Sequence, residues 1–308
     1  MDILADQLAR AHARGAVFSV LRRVRPWGLR FGGQRPLTAH LLVEGDGWLE
    51  QPGCEPARLR ARDVALVTSG APYAIVSEPG TAAEPIADAR RRGPDTAAGD
   101  SATVLCGAYV MDGSLAGSLL ATLPRAVIVA AADQDPSHAA AIGLLAEQIS
   151  RDAPGQQTLL DRLLDLNLVF ALRSWWASAG AEAPGWYRAL PEPGLRRVLE
   201  HVHADPAGDW TVIAMADLAG MSRASFAARF RQVTGQPPGS YVTGVRMQRA
   251  EEELARSDAP LAKIAASVGY RNEYAFATAF RRSRAVSPGR WRADARAREP
   301  LPRARRPG

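Results

Sequence analysis

Between Trp210 and Arg292 the chain builds the same unit twice: a short helix, a glycine-centred turn and a second helix rich in arginine. In the first copy Val212, Ile213, Leu218 and Ala219 give a helix its apolar face, Gly220 and Met221 make the turn, and Ser222 caps the next helix. That helix buries Phe226, Phe230 and Val233, spaced i, i+4 and i+7, and turns Arg223, Ala224, Ser225, Ala227, Ala228, Arg229, Arg231 and Gln232 outward. The second copy starts at Pro260 with Leu261, Ile264, Ala265 and Val268 on one face. It turns at Gly269-Tyr270, is capped by Asn272 and buries Phe276 and Phe280. Its outward residues are Arg271, Glu273, Tyr274, Ala277, Thr278, Arg281 and Arg282. The interval from cap to first phenylalanine is the same in both copies, Ser222 to Phe226 and Asn272 to Phe276, which predicts two tandem helix-turn-helix units rather than generic helical packing.

The distribution of charge supports that reading more than its amount does. Lys263 is the only lysine, and the arginine, alanine and proline bias points to a GC-rich genome, so the arginine count alone is weak evidence for phosphate binding. Residues 209–308, however, hold 18 Lys/Arg against 9 Asp/Glu, and residues 1–208 hold 20 against 23. Positive charge is confined to the segment with the helix pairs, as nucleic-acid binding requires. A chain of 308 residues is long enough for two domains with cores of their own. The longest aliphatic run, Ala126 to Ala132, is far too short to cross a bilayer and no apolar signal segment opens the chain, so a cytoplasmic protein without membrane contact is expected. Cys54 and Cys106 alone do not make a disulfide scaffold.

In chain order, an amphipathic helix is expected over Ile3 to Arg14, followed by many short strands that suggest a sandwich or small barrel. The strand candidates are Val17 to Leu21, Leu37 to Val43, Trp48 to Glu50, Ala57 to Arg60, Val64 to Val67, Ala74 to Val76 and Thr103 to Met111, with Gly45-Asp46-Gly47 as a hairpin signal. The polar stretch from Glu78 to Ser101, with Arg90-Arg91-Arg92 inside it, reads as a mobile surface loop. From Pro136 the periodicity is helical. A helix carrying Leu159, Leu160, Leu163, Leu164, Leu166, Val169, Phe170 and Leu172 is apolar on so many sides that it is either a central core helix or a dimerisation element. A further helix from Gly194 to His203 carries His201 and His203, which face apart at i and i+2 and are expected to be solvent-exposed rather than metal ligands.

Residues 210–292 resemble the AraC/XylS-type transcription-regulator domain, in which two helix-turn-helix units are joined by a long central helix. Pro237 to Arg256 matches that helix, with Tyr241, Met247, Ala250 and Leu254 as its apolar side, and Gly269-Tyr270, Phe276, Phe280 and Ser287 to Arg292 match the closing signature. Residues 1 to about 130 resemble the cupin-type sensor domain of one AraC subgroup through His40 to Gly45, Arg62-Asp63-Val64, Ser69 to Tyr73, Leu105 to Tyr109 and Leu119 to Pro124. Relatives often have histidine where this chain has Tyr73, polar or basic residues at Ala224 and Ala228, arginine at Thr278 and glycine at Ala285. The resemblance implies an α+β multidomain protein: a cupin-like β-barrel or sandwich at 1–135, a helical linker and dimerisation region at 136–207, an all-α double helix-turn-helix domain at 208–293 and a disordered basic tail at 294–308.

The function expected is a sequence-specific DNA-binding transcription regulator, an activator whose cupin-like domain senses a small molecule or a redox signal. The groove-facing set should include Arg223, Ser225 and Arg229 on the first recognition helix and Arg271, Glu273, Tyr274 and Thr278 on the second. Arg281, Arg282, Arg290 and Arg292, with the helix start at Ser287-Pro288, are candidates for phosphate. Cys106 on a predicted strand and Cys54 in a loop are candidate redox sensors, separately or as a bridge. Expected partners are double-stranded promoter DNA, RNA polymerase as the family implies, a small-molecule effector of unknown identity and a second copy of the chain. No cofactor or metal is expected, since a metal-binding cupin needs a histidine cluster and only His40 is available. Two other classes stay open, a cupin-type enzyme and a ligand-independent architectural DNA-binding protein.

Overall fold

The computed structural model describes residues 3–4, 11–12, 19–68, 70–111, 120, 122–149, 151 and 153–298. Two compact units divide the chain, one built mainly from Gln7–Asp112 and Ala116–Ala183, the other mainly from Pro184–Gly308.

The first unit is made of two sheets. Among the described residues, one has the order β1-β10-β4-β7-β11, with β2 also pairing β10: β1 is Ala11–His12, β2 Ser19–Val24, β4 Leu37–Glu44, β7 Val64–Val67, β10 Ser101–Met111 and β11 Ala126–Val129. The other has the order β6-β5-β8-β3-β9, with β3 Gly28–Phe31, β5 Gly47–Glu50, β6 Ala57–Leu59, β8 Tyr73–Val76 and β9 Glu84–Pro85. Trp27, Leu29, Phe31, Leu42, Leu49, Leu59, Val67, Tyr73, Ile75, Val104 and Cys106 from both sheets share one core. Two longer helices among the described residues belong to the same unit, α2 (Pro136–Gln148) and α3 (Gln156–Ala179). The Tyr109 hydroxyl donates to the Leu164 carbonyl at 2.9 Å and so ties β10 to α3. On α3 one side is buried through Leu160, Leu163, Leu164, Leu168, Leu172 and Trp176, whereas Leu159 and Leu166 stay 40% and 42% exposed.

Four sequence expectations change here. Ala11 and His12 form a strand paired with Met111 and Val110, so no continuous helix covers Ile3 to Arg14, and residues 5–10 and 13–14 lie outside those described. Gly45-Asp46-Gly47 is not a hairpin: β4 pairs with β10 and β7 while β5 pairs with β6 and β8, so the chain crosses between sheets at that corner. Gly45, at φ +77°, is needed there because a Cβ would come within 2.6 Å of the Ser101 carbonyl oxygen. The stretch from Glu78 to Ser101 holds β9 and a helix, α1 (Ile86–Arg92). Arg23, 1% exposed, braces it by donating to the Ala89 and Gly93 carbonyls at 2.9 and 2.7 Å, and Arg91 and Arg92 are spent on ion pairs with Asp88, Glu84 and Asp95. Finally, His203 is buried and hydrogen-bonded to the Tyr241 hydroxyl at 2.8 Å; only His201 is exposed.

The second unit is helical: α4 (Gly185–Ala189), α5 (Pro193–Ala204), α6 (Val212–Ala219), α7 (Arg223–Thr234), α8 (Pro238–Arg256), α9 (Leu261–Ser267), α10 (Glu273–Arg284) and α11 (Pro288–Arg298). The expected linker region at 136–207 is therefore split between the units. α5 goes with the helical one because Leu195, Val198, Leu199 and Val202 pack on Met215, Phe226 and Phe230. α11 runs past the expected boundary at 293 to Arg298, and residues 299–308 lie outside those described.

Candidate DNA-binding surface

Each helix-turn-helix unit owes its geometry to a few local devices. In the first, the Thr211 hydroxyl accepts from the Ala214 N–H at 3.1 Å to open α6, Gly220 ends it in the left-handed region, and the Ser222 Oγ accepts from the Ser225 N–H at 3.2 Å to open α7. In the second, Pro260 precedes α9, Gly269 turns the chain at φ +79°, and the Asn272 Oδ1 accepts from the Ala275 N–H at 2.9 Å to open α10. Phe226 and Phe230 sit 5.4 Å apart by ring centroid, Phe276 and Phe280 5.6 Å apart, and all four are buried. The duplication read in the sequence is thus repeated in packing, with Trp291 of α11 against Phe280 closing the second core.

The helix starts α7 and α10 present their outward residues very differently. On α10 and its cap, Arg271, Tyr274, Thr278, Arg281 and Arg282 are exposed, Tyr274 at 78%, and Glu273 is half-buried. Among the described residues, Arg271, Arg281 and Arg282 engage no carboxylate, so their charge is available to a polyanion. On α7 only Arg223 and Arg231 have that freedom. The Ser225 hydroxyl is engaged with Ser222 at 2.9 Å within the cap. Arg229, expected to face the groove, makes a two-point contact with Glu192 at 2.6 and 3.0 Å and a third with Gln232 at 2.9 Å. A carboxylate 37 positions earlier in the chain decides that side chain, and no local pattern announces it.

Around α11, the Ser287 Oγ accepts from the Arg290 N–H at 3.3 Å, and Arg290 lies 3.9 Å from Asp294. Arg292 donates to the Ala259 carbonyl at 2.6 Å and is therefore a brace for the α8–α9 connection rather than an exposed cation. Sequence reading missed a second brace, Arg284 of α10 paired with Glu251 of α8, a carboxylate only 3% exposed. Glu253 of α8 accepts from the Ser267 Oγ at 2.8 Å, so alternate members of the run Glu251-Glu252-Glu253 hold the second helix-turn-helix to the central helix.

Of the two thiols proposed as sensors, Cys54 is exposed and Cys106 is 2% exposed in the first unit's core. Burial pushes the Cys106 thiol up to about 12, against weaker pulls from the Arg90 and Arg23 guanidinium groups. Burial and the raised pKa both work against the thiolate, which is the reacting form. His40 donates to or accepts from the Tyr73 hydroxyl at 2.7 Å, and Tyr73 also meets Thr38 at 2.7 Å. Among the described residues, no group of three or more His, Cys, Asp or Glu side chains is placed to hold a metal ion.

Two family models match, one described as Cupin over residues 2–177 and one as a helix-turn-helix domain over residues 215–294. A putative AraC-like transcription regulator of Streptomyces lividans is 32% identical over 95% of this chain and 98% of its own. The chain belongs to the AraC-like transcription regulators. A second relative of the AraC-like regulator, the RCS-specific HTH-type transcriptional activator RclR of Escherichia coli strain K12, is 28% identical over 82% of this chain and 83% of its own. Among solved structures, the DNA-binding domain of AdpA in complex with a target DNA shares 32% identity and covers 36% of this chain and 99% of that chain, with a TM-score of 0.34. The AraC-like regulator is accordingly a DNA-binding transcription regulator with a sheet-rich cupin region followed by a helical DNA-binding region, and no described helix is long and apolar enough to cross a membrane.

Proposed function

We propose that this regulator reads double-stranded promoter DNA by laying α7 and α10 into successive major grooves, about 34 Å apart on one face of the duplex. The observation that carries this reading is the row of exposed guanidinium groups on α10 and its cap, Arg271, Arg281 and Arg282, left without carboxylate partners beside Tyr274 and Thr278. The second recognition helix supplies most of the charged contact. The first contributes Arg223 and Arg231, with the Ala224 and Ala228 methyl groups suited to thymine rather than to guanine. Arg290 and the N–H groups that open α11 at Ser287-Pro288 add contacts to phosphate. Arg229 serves the fold through Glu192 and enters the interface only if that pair opens.

The output is transcription activation through RNA polymerase in the cytoplasm, in keeping with the activator named among its relatives. The input is a small molecule acting on the cupin region. A redox input at Cys106 is disfavoured by its burial, which leaves Cys54 as the accessible thiol. Leu144, Leu159 and Leu166, each 40–43% exposed on α2 and α3, provide the apolar side on which two copies would pair. An architectural protein indifferent to sequence would not need so large a separate unit, and the relatives named as transcription regulators point away from an enzyme.

The test is a salt-controlled titration of the full chain on its own upstream DNA and on a scrambled duplex. Arg282→Ala is expected to weaken both duplexes and lower the slope of log K against log salt by about 1, since one phosphate contact releases about one counterion. An unchanged slope removes Arg282 from the interface, and equal wild-type affinity for the two duplexes overturns sequence-specific reading.

A further inference from the structure

The two helix-turn-helix cores meet inside a single helix. Along α8, Tyr241, Val242 and Val245 belong to the first core and Met247, Ala250 and Leu254 to the second, so the seam falls at Arg246. The helix is weak there. Gly244 lies within α8, and a Cβ added to it would meet open space, so packing does not demand a residue that lowers helix stability.

Arg246 bridges the seam. Its Nε donates to the Pro206 carbonyl and its Nη2 to the Gly208 carbonyl, both at 2.8 Å, in the connection that leads into α6 of the first helix-turn-helix. The same guanidinium lies 5.8 Å from the centre of the Tyr270 ring, in the turn of the second helix-turn-helix. The two connections abut directly: a Cβ on Gly269 would come within 2.8 Å of the Ala207 carbonyl oxygen and 2.9 Å of Arg246 Nη2. Trp210 holds the first connection from its other end by donating to the Asp205 carbonyl at 2.7 Å.

We propose that Arg246 is a positioning residue for DNA reading, a clamp across the joint at Gly244–Arg246 that keeps α7 and α10 at one separation. The proposal rests on the two-groove reading above. A planar guanidinium holds two carbonyls in a fixed fork and covers a ring at once; a lysine ammonium lacks the fork and a glutamine amide lacks the charge. With the joint released, the second head would sample a range of separations, and the gain from engaging a second groove would be diluted.

The experiment has two arms, both on the full chain. For the first, Cys54→Ser, Ala228→Cys and Ser283→Cys allow spin labels on α7 and α10, and the distance distribution is recorded without DNA. Arg246→Gln and Arg246→Lys are expected to broaden it, and Gly244→Ala added to Arg246→Gln is expected to narrow it again. For the second, unlabelled proteins bind a duplex selected from a random pool and a version shortened to a single groove. Arg246→Gln is expected to weaken the long duplex about tenfold and the short one less than about twofold, the signature of lost effective concentration. An unchanged distance distribution overturns the clamp, and so does an equal loss on both duplexes, which would mark a direct DNA contact or a folding defect. A wild-type protein that binds the long duplex no better than the short one would sink the two-groove reading, while the distance arm still decides the clamp.

Discussion

His40 is 1% exposed, hydrogen-bonded to the Tyr73 hydroxyl through Nε2, and without a partner for Nδ1 among the described residues. Burial, with the Arg90 guanidinium second, lowers its pKa to about 3. In the unfolded chain the value is about 6.5, so between those limits the unfolded state takes up a proton that the native state refuses. Its contribution to stability is thus whole above pH about 6.5 and is lost as the pH falls towards 3, by up to about 1.4 kcal/mol per pH unit. His138, lowered mainly by burial, adds in the same direction. Denaturant melts of wild type and His40→Gln at pH 7, 6 and 5 check this: the variant should lose less stability on acidification, and parallel curves would refute it. The residue scale is also where the sequence was least legible. Arg229 and Arg282 look alike on their helices, yet Glu192 engages the first and, among the described residues, no carboxylate engages the second. Cys106 was recognisable as a strand residue, but its sealing in the core depends on β4 and the opposite sheet rather than on its neighbours in the chain.

At the scale of elements, the Ser222 and Asn272 caps that open α7 and α10 were readable, because a cap is a local contract between a side chain and an N–H three residues on. The strands from Leu37 to Val76 were readable for the same reason of short-range alternation and turn chemistry. What escaped was decided by distant partners: β1 exists through its pairing with β10, and the stretch around α1 is ordered by Arg23 from β2. One element carries a defect visible in both sequence and structure. Ala285 ends α10 at φ +61°, a left-handed conformation that disfavours any residue with a Cβ. Ala285→Gly should stabilise the helical unit by about 0.5–1 kcal/mol without changing DNA affinity, a modest rise in the unfolding midpoint. A lower midpoint would mean that the extra freedom of glycine in the unfolded chain outweighs the relief of strain.

For the whole molecule, the division into units was legible in outline through the charge asymmetry and the change from strand to helix periodicity, but its position was not. The border falls before Pro184 because α5 buries its apolar side with Met215, Phe226 and Phe230, a partnership that no composition change marks. Since the helical unit holds two cores of its own, a fragment of residues 184–298 is expected to unfold cooperatively and to bind DNA with the salt slope of the full chain. It should be less stable for want of Ile3, which packs in the first of those cores. A fragment without a melting transition would show that the unit depends on the rest of the chain. The cations that line the exposed side of α10 are all guanidinium groups, and Lys263 is the chain's single lysine. Acylation of lysine, which removes a positive charge, has one side chain here to act on, so that modification leaves the guanidinium charge of α10 in place.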